Sequence, residues 1–171
     1  MFYNCFSLQS VSQFNTSKVT NMGFMFSSCY SLQSVPLFNT ANVTSMYAMF
    51  QVCRSLESLP LFDTSKVTNM NSMLFNCNSL KELPAMNCAS VQSSSDFSNF
   101  LYENNSLSRS QLANVKYSHS YQNCNLSANA LNEIYTNLPT TTGQTITVSG
   151  NWGTATDDPT IATGKGWTVT G

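Results

Sequence analysis

Six cysteines are the side chains of this sequence best suited to chemistry, and four of them stand on a fixed step. Cys5, Cys29, Cys53 and Cys77 are each 24 residues apart. Cysteines hold zinc, pair as disulfides or act as nucleophiles, and each use needs its own local geometry. One position repeated along a stack gives a line of sulfurs at least about 4.8 Å apart per step. A line cannot surround a zinc ion whose sulfur ligands lie near ~2.3 Å, and no C-x-x-C pair is present. Neighbouring rungs are close enough for a disulfide by Cα distance alone. Yet each cysteine closes an apolar stripe, where a free thiol packs as a small hydrophobe. Buried free thiols are the expectation. Cys88 and Cys124 lie outside the ladder, and nothing in the sequence supports a bridge between them.

The other candidates point the same way. His119, the single histidine, sits in the alternating stretch Tyr117-Ser118-His119-Ser120 with no nucleophile motif attached, so an exposed strand residue is expected. Asp157-Asp158 before Pro159 could open a calcium site, but a helix cap explains the same residues. Glycan hydrolysis requires two carboxylates about 5 to 10 Å apart in a cleft, and the eight acidic residues are scattered. The sequons at Asn15, Asn42, Asn104 and Asn125 are what a chain rich in Ser, Thr and Asn contains by accident. No catalytic residue, metal ligand or cofactor is expected, and the protein is read as a non-enzyme.

What positions these residues is the period itself. Ser-Leu follows each cysteine of the ladder by two residues; Val19, Val43, Val67 and Val91 keep the same step, as do Met22, Met46 and Met70. A fixed period of this length is the mark of a stacked repeat protein. Within one copy Met22, Met25, Phe26 and Cys29 stand at i, i+3, i+4 and i+7, the spacing of one face of an α-helix, with Thr20 or Asn21 as N-cap. Ser31 to Val35 reads as a short strand that Pro36 ends, because proline has no ladder amide. Phe38-Asn39-Thr40 reads as a tight corner held by the Asn side chain. Strands stack about 4.8 Å apart and helices about 8 to 10 Å. The fold class that follows is α/β: a leucine-rich-repeat solenoid, a short curved arc with a parallel strand ladder on one face and short helices on the other. Residues 1–104 carry the repeats. Residues 105–171 form divergent terminal units that cap them, with a helix stripe from Leu126 to Leu138 capped by Ser127, a strand at Thr145–Val148, a short helix after Asp158 and a last strand at Trp167–Val169.

Composition narrows the partners. Only 9% of the 171 residues are charged and the net charge is −1, against a usual charged fraction of roughly 25%. No basic stripe exists for nucleic acid. No apolar run approaches the roughly 18 to 20 residues of a membrane span. The chain starts in mid-repeat, with Met1, Phe2 and Cys5 in register with Met25, Phe26 and Cys29, so it is expected to be one module of a longer protein.

Positions that change between copies are free of the duty of stacking. Phe6, Tyr30, Arg54 and Asn78 form one such row, and Gln9, Gln33, Glu57 and Lys81 another. Tyr30, Gln33, Arg54, Glu57 and Lys81 are therefore the candidate ligand-binding residues, a mixed aromatic and polar stripe suited to protein or carbohydrate contacts.

Phe14-Asn15-Thr16-Ser17-Lys18-Val19-Thr20-Asn21-Met22, then Met25-Phe26, Cys29 and Ser31-Leu32, recurs from Phe38 and from Phe62. Over about residues 1–92 this phrase resembles the BspA-like leucine-rich repeats of bacterial surface proteins. The tail is similar to the C-terminal caps of phage and gut-bacterial relatives. The fourth copy departs from the pattern, with Met86 in place of the phenylalanine and Ser94 in place of a methionine. The resemblance implies an extracellular or virion-exposed adhesion module, from a bacterial surface protein or a phage tail fibre, that binds a cell-surface protein or polysaccharide. A spacer or capping module with no ligand of its own is the alternative.

Overall fold

The computed structural model describes residues 1–171. Its strands are β1 (Glu82–Asn87), β2 (Arg109–Ala113), β3 (His119–Ser120), β4 (Gln144–Thr147) and β5 (Trp167–Thr170); its helices are α1 (Ala128–Asn137) and α2 (Thr160–Thr163). β1 and β2 pair in parallel, and β3, β4 and β5 form a second, three-stranded parallel sheet in that order. The expected leucine-rich-repeat solenoid is thereby overturned. The chain is a small mixed α/β protein with two helices and short strands in two small sheets, and no solenoid closes.

The repeat helices are absent for a backbone reason. Met22, Met25, Phe26 and Cys29 are all buried, but they are carried on tight turns with Phe24 and Ser28 at φ of 57° and 60°. Ala48 and Val52, then Ser72 and Asn76, repeat those positive angles. The amides of Met25, Ser27 and Cys29 bond carbonyls three residues back, while those of Phe24, Phe26 and Ser28 cross to Tyr47, Met49 and Gln51 of the following copy at 2.7–2.9 Å. An α-helix needs every interior amide for its own i−4 carbonyl. Here alternate amides are committed elsewhere. The turns also place i, i+3, i+4 and i+7 inward, so the sequence spacing is honoured without a helix. Without helices, the mismatch between strand and helix spacing that predicted an arc does not arise.

The expected strand at Ser31–Val35 shrinks to single cross-copy bonds, Gln33 N–H to the Gln9 carbonyl and Glu57 N–H to that of Gln33. Isolated parallel bridges join Asn21 to Ser45 and Ser45 to Asn69. β1 runs through Pro84, where a strand was expected to end; its register against β2 shifts between Leu83 and Met86, so the residue without an N–H falls at the break in pairing. β1 and β2 lie on either side of the 104/105 boundary and pair across it. The corners follow expectation: Asn15, Asn39, Asp63 and Asn87 each accept the amide two residues on, at 3.0–3.2 Å.

One side-chain position ties the whole chain together. The thiols of Cys29, Cys53 and Cys77 donate to the carbonyls of Phe2, Phe26 and Phe50, each 27 residues back, at 3.0–3.1 Å. Asn104 continues the series, its Nδ2 donating to the Leu74 carbonyl at 2.8 Å. Cys124 follows with the Leu101 carbonyl, and Asn151 with that of Tyr121 at 2.8 Å. Beside this ladder Phe2, Phe26 and Phe50 stack with centroids 5.4 and 5.6 Å apart and planes within 4°. A single core of 43 buried residues runs from Met22 to Trp167.

The tail forms as read. Ser127 caps α1, its hydroxyl accepting the Ala130 amide at 3.1 Å. The Lys165 ammonium donates to the Tyr135 and Leu138 carbonyls at the other end of that helix, where a cation also complements the dipole. Asp158 accepts the Thr160 amide at the start of α2, and Gly166, at φ 84°, leads into β5.

All six cysteines are free, and Cys5 alone is exposed. Burial raises the pKa of Cys29 and Cys53 and pushes Cys77, Cys88 and Cys124 up to about 12. A disulfide-exchange reagent should therefore titrate one thiol in the native protein and six after denaturation. Cys53→Ala removes packing and a donor to the Phe26 carbonyl, and should cost about 1–2 kcal/mol in urea unfolding. Cys5→Ala, at the equivalent exposed position, should stay within about 0.5 kcal/mol.

Candidate functional site

The variable rows become two neighbouring surface features. Phe6, Tyr30 and Arg54 are exposed and form a column: Phe6 stacks on Tyr30 at 4.9 Å, and the Arg54 guanidinium lies 5.1 Å from the Tyr30 ring centroid. A cation over an aromatic face is worth about 0.5–1 kcal/mol at an exposed site. The column is held from below by backbone bonds between copies, Ser31 N–H to the Phe6 carbonyl and Ser55 N–H to that of Tyr30. Both faces of Tyr30 are thus occupied, leaving its edge and hydroxyl to a ligand.

Gln33, Glu57 and Lys81 are exposed three positions further along the chain. Glu57 and Lys81 share an open groove of about 390 Å³ with Glu82, Pro84 and Gln111. The groove lies where β1 begins, with Glu82 and Pro84 of the strand facing Glu57 of the preceding copy across it. Glu82 and Gln111 were not among the residues expected here. The signal for them was the loss of the Ser-Leu register after the fourth copy, which draws residues of β1 and β2 into one surface. The groove combines two carboxylates, one ammonium and one amide, a set able to hold the polar groups of a peptide or a sugar.

The remaining chemical candidates are structural. Asp158 accepts the Thr160 amide at the start of α2, while the Asp157 carboxylate caps nothing and accepts the Tyr135 hydroxyl at 2.6 Å. No group of three or more His, Cys, Asp or Glu residues is arranged to hold a metal ion. No helix is long and apolar enough to cross a membrane.

His119 corrects an expectation. It is buried rather than exposed, at 8% accessibility, with its ring edge-on to Phe97, Tyr121 and Trp167 at centroid distances of 5.4–5.6 Å. The alternation that was read as solvent-facing in fact places Tyr117, His119 and Tyr121 on one face of a strand, and Tyr121 is a core residue. Nδ1 lies 3.1 Å from the Tyr117 carbonyl and Nε2 is buried without a partner. Burial lowers the pKa from its ordinary 6.5 to about 4. The folded state holds this imidazole neutral, whereas the unfolded chain takes up a proton below pH 6.5. Stability should therefore fall by about 3 kcal/mol between pH 6.5 and 4, and His119→Phe should remove that part of the slope in urea titrations across the same window.

The family described as Mycoplasma protein of unknown function, DUF285, matches residues 1–123. No curated protein and no solved structure is significantly similar to the chain. The matched segment takes in the copies, their corners and the Phe6–Tyr30–Arg54 column, and on that match the chain belongs to the DUF285 family.

Proposed function

We propose that this chain is a non-enzymatic recognition module, displayed on a bacterial surface protein or a phage tail appendage, that binds a protein or polysaccharide of a cell surface. The observation that carries the reading is the division of labour between positions. The apolar residues repeated from copy to copy are mostly buried and the repeated Asn and Asp hold corners, whereas several positions that vary form the Tyr30–Arg54 column and the Glu57–Lys81 groove. A constant buried frame leaves the variable exposed side chains free to take up a ligand. The likeness of the Phe-Asn-Thr-Ser-x-Val-Thr-Asn-Met phrase to BspA-like surface proteins supports the same reading and its extracellular setting. Interface chemistry does as well, since Tyr and Arg are the side chains most enriched among those that dominate binding energy.

The test is binding of the fluorescently labelled chain to a panel of intact bacteria and to immobilised matrix proteins, with the Tyr30→Ala/Arg54→Ala variant alongside. The expected result is binding to one of the two targets, weakened tenfold or more in the variant, a loss of about 1.4 kcal/mol or more. Binding to bacteria favours a phage appendage and binding to matrix favours an adhesin. A chain that binds neither is a spacer or capping module.

A further inference from the structure

A second aromatic ladder lies outside the rows discussed so far. Tyr3, Phe24 and Tyr47 are 57%, 42% and 37% exposed. Their rings meet edge to face, Tyr3 with Phe24 at 6.0 Å and Phe24 with Tyr47 at 4.9 Å, both at 80°. This geometry differs from the Phe6–Tyr30–Arg54 column, in which faces are stacked on faces and the cation covers what is left. Each edge-to-face contact covers one face of one ring and leaves free the faces of the ring that supplies the edge. Stacking surface for a ligand is therefore offered by Phe24 and Tyr47 rather than by Tyr30.

Phe24 also stands at a turn position whose positive φ recurs in the next two copies. Its φ is 57°, a region that L side chains rarely adopt, and the corresponding residues of the next two copies are the small Ala48 and Ser72. A bulky aromatic held there and left 42% exposed contributes little burial in return. Gly23, one residue before, stands by Tyr47 of the following copy and brings no side chain, and the Phe24 ring meets the Tyr47 ring edge to face.

The surroundings select the ligand. Lys18 is the one charged residue in the first 53, so nothing near the strip attracts an ion. What borders it is amide and hydroxyl: Asn21 accepts the Gly23 amide through Oδ1, and the Ser45 hydroxyl accepts the Tyr47 amide. The tyrosine hydroxyls add donors at the rim. Exposed aromatic rings that meet from one copy to the next, bordered by neutral donors and acceptors, suit a polymer of hexose rings, whose own faces are apolar and whose rims are hydroxyl. We infer that Tyr3, Phe24 and Tyr47 form a binding strip for a neutral polysaccharide lying along the repeat direction. This rests on the recognition reading above in its general form, but on a different set of residues.

The experiment is affinity electrophoresis of the full chain through native gels containing hydroxyethyl cellulose, galactomannan or xylan, at low and at 1 M salt. Phe24→Gly/Tyr47→Ala is compared with Tyr30→Ala/Arg54→Ala. The inference expects retardation in at least one gel, unchanged by salt, weakened tenfold or more in the first variant and kept in the second. Phe24→Gly alone should weaken retardation while raising the Tm, since glycine relieves the backbone without restoring a ring. Absence of retardation in all three gels, loss of retardation at 1 M salt, or retardation that survives Phe24→Gly/Tyr47→Ala would each overturn it. Retardation lost only in Tyr30→Ala/Arg54→Ala would also overturn it while upholding the Tyr30–Arg54 face.

Discussion

The Phe26 amide has two places to send its proton: a carbonyl in its own turn, or one in the copy that follows. It goes to Met49, and the rest of the structure depends on that choice being repeated. Alternate amides crossing between copies fix the separation of neighbouring backbones at a single hydrogen bond. That separation is what lets Phe2, Phe26 and Phe50 stack in near-parallel planes. It also brings each ladder thiol within reach of a carbonyl in the copy before. Where the register slips after the fourth copy, asparagine takes over at 104 and 151, its longer side chain reaching the same class of acceptor. Polar groups left unpaired in this core would cost about 1–3 kcal/mol each, so the donor position is constrained even where the sequence period is lost.

Such a frame frees the outward positions. A copy contributes its buried residues and corners to its neighbours and can vary elsewhere without disturbing the step. The two exposed ladders use that freedom in different ways. In one, Tyr30 is sandwiched between Phe6 and Arg54; in the other, Tyr3, Phe24 and Tyr47 meet edge to face and stay part exposed. The low charge of the first two copies means that any ligand on that side would be held by shape and hydrogen bonding rather than by long-range attraction. Further along, Glu57, Lys81 and Glu82 reintroduce charge around the groove.

Much of this was legible in the chain, and the exceptions share a cause. Buried free thiols, Asn and Asp corners, the Ser127 cap and the strands of the tail follow from local chemistry that sequence states directly. The helix at Met22–Cys29 did not form because i, i+3, i+4 and i+7 is the inward set both of an α-helix and of a run of tight turns. Only the destination of the Phe24 and Phe26 amides separates the two, and that partner lies a full copy away. His119 was misplaced for the same reason: its alternation is that of a half-buried strand, but which half is buried is set by Phe97 and Trp167, remote in sequence. The candidate row was legible as variable positions. That Tyr30 would be covered on both faces was not, because stacking between copies depends on ring orientation.

Residue-resolved hydrogen exchange tests the central claim most directly. If crossing bonds hold the copies together, the amides of Phe24, Phe26, Ser28, Ala48, Phe50 and Val52 exchange slowly and at rates comparable to those in β4 and α1, because all belong to one core. Rapid exchange across residues 22–52, with protection confined to the tail, would contradict the account.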